Sequence, residues 1–414
     1  MSRTSPHEHL PHTRMSRRGL LKTAGGLTAA VALGAASATT ADAAPATWTH
    51  PGMLHNGGDI NRAKVRVAAG DDPWLSGWNK LTANPHSQST WTPRATATII
   101  RGGTGENYTL LYNDIAAAYQ NALRWQVGGT EANAQCAANI LNAWSSTLTT
   151  VTGNADRFLA AGIYGWQFAN AAELMRGYSG FDLARFQDMM ARVFYPLNNQ
   201  FLTGHNDACI TNYWANWDLC NMASVLAIGI LNEDSAKYDQ AVTYFKSGAG
   251  NGSIQHAVPF LYGNVDGYDL GQWQESGRDQ GHTMMGMGQM GAICEMAWNQ
   301  GDDLYSYDSR RFMKAAQYVA KYNLGNDVPF TTYTWGTGQS CAQSSQTVIS
   351  ADSRGQARPV WAMLHYHYNR RIGLDDKYIS QMCFSVAPEG GGGDYGSTSG
   401  GYDQLGFGTL MYAK

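Results

Sequence analysis

Charge is scarce in this chain. Asp, Glu, Lys and Arg make up 15% of its 414 residues, and 32 acids outnumber 29 Lys and Arg. Without a basic surplus there is no electrostatic footprint for a nucleic-acid backbone. Beyond residue 43 no apolar run approaches the ~18 residues that a membrane span requires. The six cysteines form no Cys-x-x-Cys and no zinc spacing with histidine, so neither a zinc site nor a catalytic thiol is expected. Strand-like alternation is rare, with Pro329–Trp335 the best candidate, and no fixed internal repeat marks a solenoid.

What is present begins with a targeting signal. Ser16-Arg17-Arg18-Gly19-Leu20-Leu21-Lys22 reads as a twin-arginine motif, followed by a mildly apolar stretch from Leu27 to Ala38 and small residues at Ala41-Asp42-Ala43. Residues 1–43 are therefore expected to be removed on export, leaving a secreted, monomeric protein. That segment carries five Lys/Arg and two acids, so the mature chain holds 24 bases against 30 acids, a net charge of −6. An anionic ligand would then need a local positive cleft. The even cysteine count permits disulfides in an exported protein, with the pairing left open. Cys209 and Cys220, if joined by a helix, would stand roughly 16 Å apart, too far to bridge.

Helix-period apolar patterns cover most of the remainder, near residues 59–69, 107–127, 131–149, 155–177, 182–195, 212–231, 235–248, 279–299, 309–323 and 357–371. Gly or Pro separates many of them, at Gly128-Gly129, Gly153, Pro196, Gly325 and Gly373. This pattern predicts an all-α chain, an α/α toroid (incomplete α/α barrel) over residues 44–387 as a single catalytic domain. Residues 388–414, with Gly390–Gly393, Gly400-Gly401, Tyr395 and Tyr402, read as a flexible Gly-rich tail lying on or near it.

Thirteen Trp and 22 Tyr are enough to line a sugar site as well as a core. They meet polar residues in three places: Asn212–Asp218, Tyr268–His282 and Trp361–Arg371. The most informative run is Gln272-Trp273-Gln274-Glu275-Ser276-Gly277-Arg278-Asp279-Gln280-Gly281-His282. In a helix, Glu275, Arg278 and His282 would share one face. A guanidinium that can fork onto a carboxylate, beside an imidazole that exchanges protons near neutrality, suits an acidic sugar.

The sequence here resembles the alginate-lyase-like family of polysaccharide lyases. The resemblance rests on His50-Pro51-Gly52-Met53-Leu54-His55, Asn216-Trp217-Asp218, Gln274-Glu275-x-x-Arg278-Asp279-Gln280-Gly281-His282 and Arg358-Pro359-x-Trp361 with His367-Tyr368. It implies an α/α toroid that cleaves a uronate polysaccharide, alginate or glucuronan, by β-elimination. Under that reading Asn216, Gln274 and Arg278 neutralise the uronate carboxylate and His282 takes the C5 proton. Tyr213, Tyr268 and Tyr366 compete to protonate the leaving oxygen, with Tyr213 preferred. Trp214, Trp217, Tyr268, Gln274, Glu275, Tyr366 and His367 would contact sugar. Thr211-Asn212-Tyr213-Trp214 lacks the histidine of the stricter alginate-lyase Asn-Asn-His run before Tyr-Trp. No cofactor is firmly called for, although Asp302-Asp303 and Asp375-Asp376 offer oxygens to a divalent cation.

Two rival readings remain on the sequence alone. A glycoside hydrolase on the same toroid would need paired carboxylates, for which Glu275 with Asp218 or Asp279 is available. A non-catalytic carbohydrate-binding protein would explain the aromatics and nothing else.

Overall fold

The computed structural model describes residues 45, 47–335, 341, 344–396 and 402–414; the twin-arginine segment lies outside them. Its helices are α1 (Gly57–Ala69), α2 (Trp74–Ala83), α3 (Tyr108–Gly128), α4 (Glu131–Thr147), α5 (Asp156–Leu159), α6 (Gly165–Met175), α7 (Leu183–Met189) and α8 (Tyr195–Gly204). They continue as α9 (Ala215–Asn232), α10 (Ser235–Ser247), α11 (Ile254–Ala257), α12 (Gln280–Asn299), α13 (Tyr307–Asn323), α14 (Trp361–His365), α15 (Lys377–Val386) and α16 (Gly408–Tyr412). Single π-turns join α5 to α6 (Ala160–Tyr164), join α7 to α8 (Met190–Phe194) and extend α14 (Tyr366–Arg371).

Burial sorts these helices into two shells. In α9 and α12 nearly every position is buried, because each is covered on all sides. Inner helices α3, α6, α9, α12 and α14 pack on one another in succession. Outer helices α4, α7, α8, α10, α13 and α15 cover them, and α10 shows why: its buried residues Tyr238, Ala241, Val242 and Phe245 recur at three-and-four spacing. Helix α16 contacts α14, α1 and α2, and α1 contacts α3, which returns the inner ring to its start. The architecture is the α/α toroid. Close inner contacts rely on small residues; a Cβ on Gly286 of α12 would lie 2.5 Å from the Trp273 ring.

Several departures from the sequence reading have physical causes. The helix expected to stop at Pro196 runs on to Gly204. A proline cannot donate to the preceding turn, and the π-turn just before it shifts the hydrogen-bond pattern there. The hairpin β3 (Phe260–Val265) with β4 (Tyr268–Gln272) was unforeseen, yet Asp266-Gly267 at its tip is a two-residue turn with φ 53° and 88°. Tyr268 therefore opens a strand rather than sitting in a loop. Two further pairs are short: β1 (Thr98–Ile100) beside β2 (Thr150–Thr152), and β5 (Tyr333–Trp335) against β6 (Ser344–Gln346). Cys209 is bonded to Cys341, and Cys136, Cys220, Cys294 and Cys383 are free and buried.

The C-terminal segment is structural, not a surface wrapping. Glu389 is fully buried and accepts from the Trp361 and Ala362 amides at 2.8 and 2.9 Å, which caps α14. Arg358 donates to Asp403 at 2.8 Å, and Leu405, Phe407, Leu410 and Met411 join the core. Burial pushes the Glu389 carboxyl up to about 7, against the pull of those amides. The native state thus holds a proton that the unfolded chain releases near 4.5, so stability falls as pH rises from about 4.5 to about 7 and stays reduced above. Glu389→Gln keeps the accepting oxygen and should raise Tm by a few degrees at pH 8 but not at pH 4. Thermal unfolding at the two pH values checks this; equal shifts would refute it.

Candidate active site

The site grows from the N-termini of two inner helices. Helix α9 starts after Trp214, which supplies no side-chain cap. Its first amides are satisfied from about 60 residues away: Ala215 N donates to Gln274 Oε1 at 3.0 Å and Asn216 N to Glu275 Oε1 at 2.8 Å. The Asn216 amide group donates to both Glu275 oxygens, at 3.0 and 2.9 Å. Arg278 Nη1 donates to Glu275 Oε2 at 2.9 Å. The fully buried Glu275 carboxylate thereby balances a helix dipole and a guanidinium together.

Helix α12 starts five residues later. Asp279, in extended backbone, caps it by accepting from His282 N at 2.7 Å. The other Asp279 oxygen lies 2.7 Å from His282 Nδ1 and 3.4 Å from Arg278 Nε. His282 Nε2 faces Arg278 Nη2 at 3.1 Å. An arginine only donates, so Nε2 carries the lone pair and Nδ1 the proton, which goes to Asp279. Burial pushes the Asp279 carboxyl up, but hydrogen bonds from His282 and the charge of Arg278 leave it below the usual carboxylate range. Arg278 also lies over Trp214, 4.9 Å from its ring centre. Arg278 and His282 keep 25% and 41% of their side-chain surface open, so a ligand can reach both.

One helix face was expected to unite Glu275, Arg278 and His282. The structure unites them otherwise: Glu275–Arg278 is a turn before α12, closed by Arg278 N donating to Glu275 O at 2.8 Å. Asn216, Gln274 and Glu275 are buried behind the cleft, and the Asn216 N–H groups are spent on Glu275. In the fold they position Arg278 and the start of α9. Trp214 flanks the cluster, and Tyr213 precedes it in the chain. Tyr213 accepts from Asn206 Nδ2 at 2.9 Å, and its ring centre is 4.6 Å from that of Trp217. Asn206 sits in a left-handed turn, His205–Asp207, with φ of 45–61°.

Other candidates go elsewhere. Tyr268 donates to Asp375 at 2.7 Å beside a surface hollow of about 600 Å³. His367 stacks on Tyr305 with centroids 3.6 Å apart and meets Arg371 at 2.9 Å. Tyr366 is buried against His365. Their neighbours are core or surface groups. The carboxylates considered for a hydrolase are each engaged: Glu275 and Asp279 as above, Asp218 by His205, Tyr244 and the Gly252 amide. The acid pairs considered for a cation are divided among separate partners. Asp302 takes Tyr238, Asp303 the Ser306 amide, Asp375 Tyr268, and Asp376 His365. Among the described residues no three His, Cys, Asp or Glu side chains gather in a metal-holding group.

The sequence profile described as Alginate lyase matches residues 83–330, which span every residue of this cluster. The chain belongs to the alginate lyase family. It is a polysaccharide lyase, and the family implies an acidic polysaccharide substrate. Solved structures agree on the fold. Alginate lyase A1-III from Sphingomonas species A1 aligns with TM-score 0.55 at 15% identity, over 89% of this chain and 98% of that one. A histidine-to-alanine variant of A1-III complexed with tetrasaccharide gives 0.56 at 14% identity, over 90% and 98%. An alginate lyase from Bacteroides ovatus gives 0.55 at 13%, over 88% and 100%. A comparison with curated proteins returns no match.

Within this lyase, Asp279 is the residue that sequence reasoning undervalued. The Asp-x-x-His spacing before an apolar helix was visible as a cap with a histidine one turn on. Asp279→Asn keeps a good cap but removes the charge facing His282. It should leave Tm nearly unchanged and lower kcat at least about tenfold. Glu275→Ala, by contrast, strips a buried pair of one partner and should cost about 3–5 kcal/mol of stability. Chemical denaturation with steady-state kinetics on both variants separates the two roles. Equal losses of stability would contradict the division.

Proposed function

We propose that this lyase cleaves a uronate polysaccharide of the alginate or glucuronan type by β-elimination, after export through the twin-arginine route. The observation that carries the reading is the accessible Arg278–His282 pair, fixed from behind by Glu275 and Asp279 and flanked by Trp214. Arg278 takes the carboxylate of the sugar to be cleaved, and its charge stabilises the enolate-like state that forms when C5 loses its proton. His282 Nε2 accepts that proton, and Asp279 stabilises the resulting imidazolium. The C5–H electron pair becomes the C4–C5 double bond, the C4–O4 bond breaks, and O4 takes a proton from the Tyr213 hydroxyl.

This assignment couples binding to base activation. In the free enzyme the His282 lone pair is engaged by Arg278. A substrate carboxylate competes for the same guanidinium and thereby releases the lone pair. An imidazole with its own carboxylate partner also supplies a base without the histidine that precedes Tyr-Trp in the stricter alginate-lyase pattern.

The decisive measurement is ultraviolet absorbance of unsaturated uronate, with alginate, glucuronan and hyaluronan as substrates. At least one of the first two should give product. His282→Ala and Arg278→Ala should each lower its rate by about 10²–10⁴-fold with helical circular dichroism unchanged. Near-full activity in either variant would remove that residue from the mechanism, and a reducing end without absorbance would mean hydrolysis. The rate should also fall as salt rises, since a net-acidic chain must draw a polyanion to a local positive cleft.

A further inference from the structure

Arg101 is a charge with no evident use inside the fold. It follows β1, and its side chain is held in a frame of tyrosines: the guanidinium lies 5.2 Å from the Tyr108 ring centre and 5.6 Å from that of Tyr164. Tyr108 and Tyr164 are nearly parallel at 6.4 Å, and Tyr112 adjoins both. Arg101 is 9% exposed and Tyr164 0%. Among the described residues, Arg101 Nη1 and the Tyr164 hydroxyl are buried without a hydrogen-bond partner. Burial pushes the Tyr164 hydroxyl well above its ordinary range, so it stays a donor.

A buried cation without a counter-ion is expensive, and an orphaned donor beside it adds to the cost. Proteins tolerate such groups where a ligand completes them. The local backbone is built to hold the arrangement. Gly153, at φ 132°, lets β2 approach so closely that a Cβ there would stand 1.9 Å from the Arg101 carbonyl oxygen. Tyr164 closes the π-turn Ala160–Tyr164, an irregularity often found at functional sites. Asp403, whose charge reaches Arg101, is already paired with Arg358 at 2.8 Å. The π-turn that ends in Tyr164 packs on α9 so closely that a Cβ on Gly162 would stand 2.4 Å from Cys220 Sγ, one turn after Asn216.

We propose that Arg101 and Tyr164 form a second carboxylate-binding subsite, which takes a uronate of the polysaccharide other than the one held by Arg278. A guanidinium N–H and a phenol O–H, both without partners in one tyrosine frame, suit a carboxylate's two oxygens, and an open tyrosine face suits a sugar ring. Half-exposed Tyr108 marks the mouth of this subsite. The inference rests on the lyase reading for the identity of its ligand. The enzyme would then recognise at least two carboxylates per productive complex, so that removing charge from a neighbouring sugar weakens binding even when the cleaved sugar is intact.

The test combines binding and stability. In the His282→Ala protein, oligomers of alginate or glucuronan, whichever wild type cleaves faster, are titrated by calorimetry, with carboxyl-reduced oligomers as the uncharged control. If wild type cleaves neither, both are titrated directly. Arg101→Gln should weaken binding of the charged oligomers at least about tenfold and Tyr164→Phe about threefold, with little effect on the control. Arg101→Lys should recover part of the loss. In otherwise wild-type enzyme, Arg101→Gln should raise KM far more than it lowers kcat. Its ligand-free Tm should stay level or rise, because an unpaired buried charge has been removed. A lowered Tm with unchanged affinity would make Arg101 structural. A fall in kcat with unchanged affinity would put it at the reacting sugar. Either result overturns the subsite. Binding through Arg101 without any ultraviolet product would instead keep the subsite and sink the lyase reading.

Discussion

The buried carboxylate of Glu275 is the constraint on which the site depends. It accepts from the Asn216 backbone, from the Asn216 side chain and from Arg278, and nothing in it faces solvent. Each charge-assisted bond contributes about 1.5–3 kcal/mol; the geometric effect is larger. Because the donors come from the start of α9 and from the turn before α12, one side chain fixes how two inner helices present their N-termini. Those termini aim partial positive charge at one place. Glu275 balances that partial charge together with Arg278, so the two helix starts and the guanidinium are held at one point.

That hub explains which parts of the site could be read from sequence and which could not. That Arg278, His282 and Trp214 lie together was legible because the signal is local: a guanidinium near an imidazole, and an aromatic beside polar residues. The roles of Asn216, Gln274 and Glu275 were not, because they hinge on contacts across 59 residues of chain. An amide beside two tryptophans looks like a sugar contact until the partner that consumes it is visible. Arg101 and Tyr164 escaped notice for a related reason. Neither has a distinctive neighbour in sequence, and their significance lies in what they lack once folded.

The fold divides in the same way. Long helices announced themselves by period, and their order gave the toroid. The misjudged parts were those where glycine or proline carried a meaning other than interruption. Pro196 follows a π-turn, so the helix continues. The C-terminal glycines read as flexibility, yet Gly406 at φ 81° lets the chain double back so that Phe407 N bonds to Gly390 O at 2.9 Å. This return brings Glu389 to the first amides of α14 and Asp403 to Arg358. A composition rule records the frequency of glycine and not what approaches it.

Arg278 cannot serve all its partners at once, and that conflict gives the site its logic. Its Nη1 is committed to Glu275, while its Nη2 faces a lone pair that the base must have free. The commitment to Glu275 is buried and the contact with His282 is partly open, so an incoming carboxylate displaces the weaker, wetter one. The anchored half keeps the guanidinium plane over Trp214 while the other half changes partner. A neutral sugar offers no oxygen with enough charge to win that exchange, and it would leave the imidazole occupied. Under the proposed mechanism, selectivity for uronates arises at the step that creates the base, in addition to any selectivity in binding, and the polymer's charge becomes a condition for chemistry.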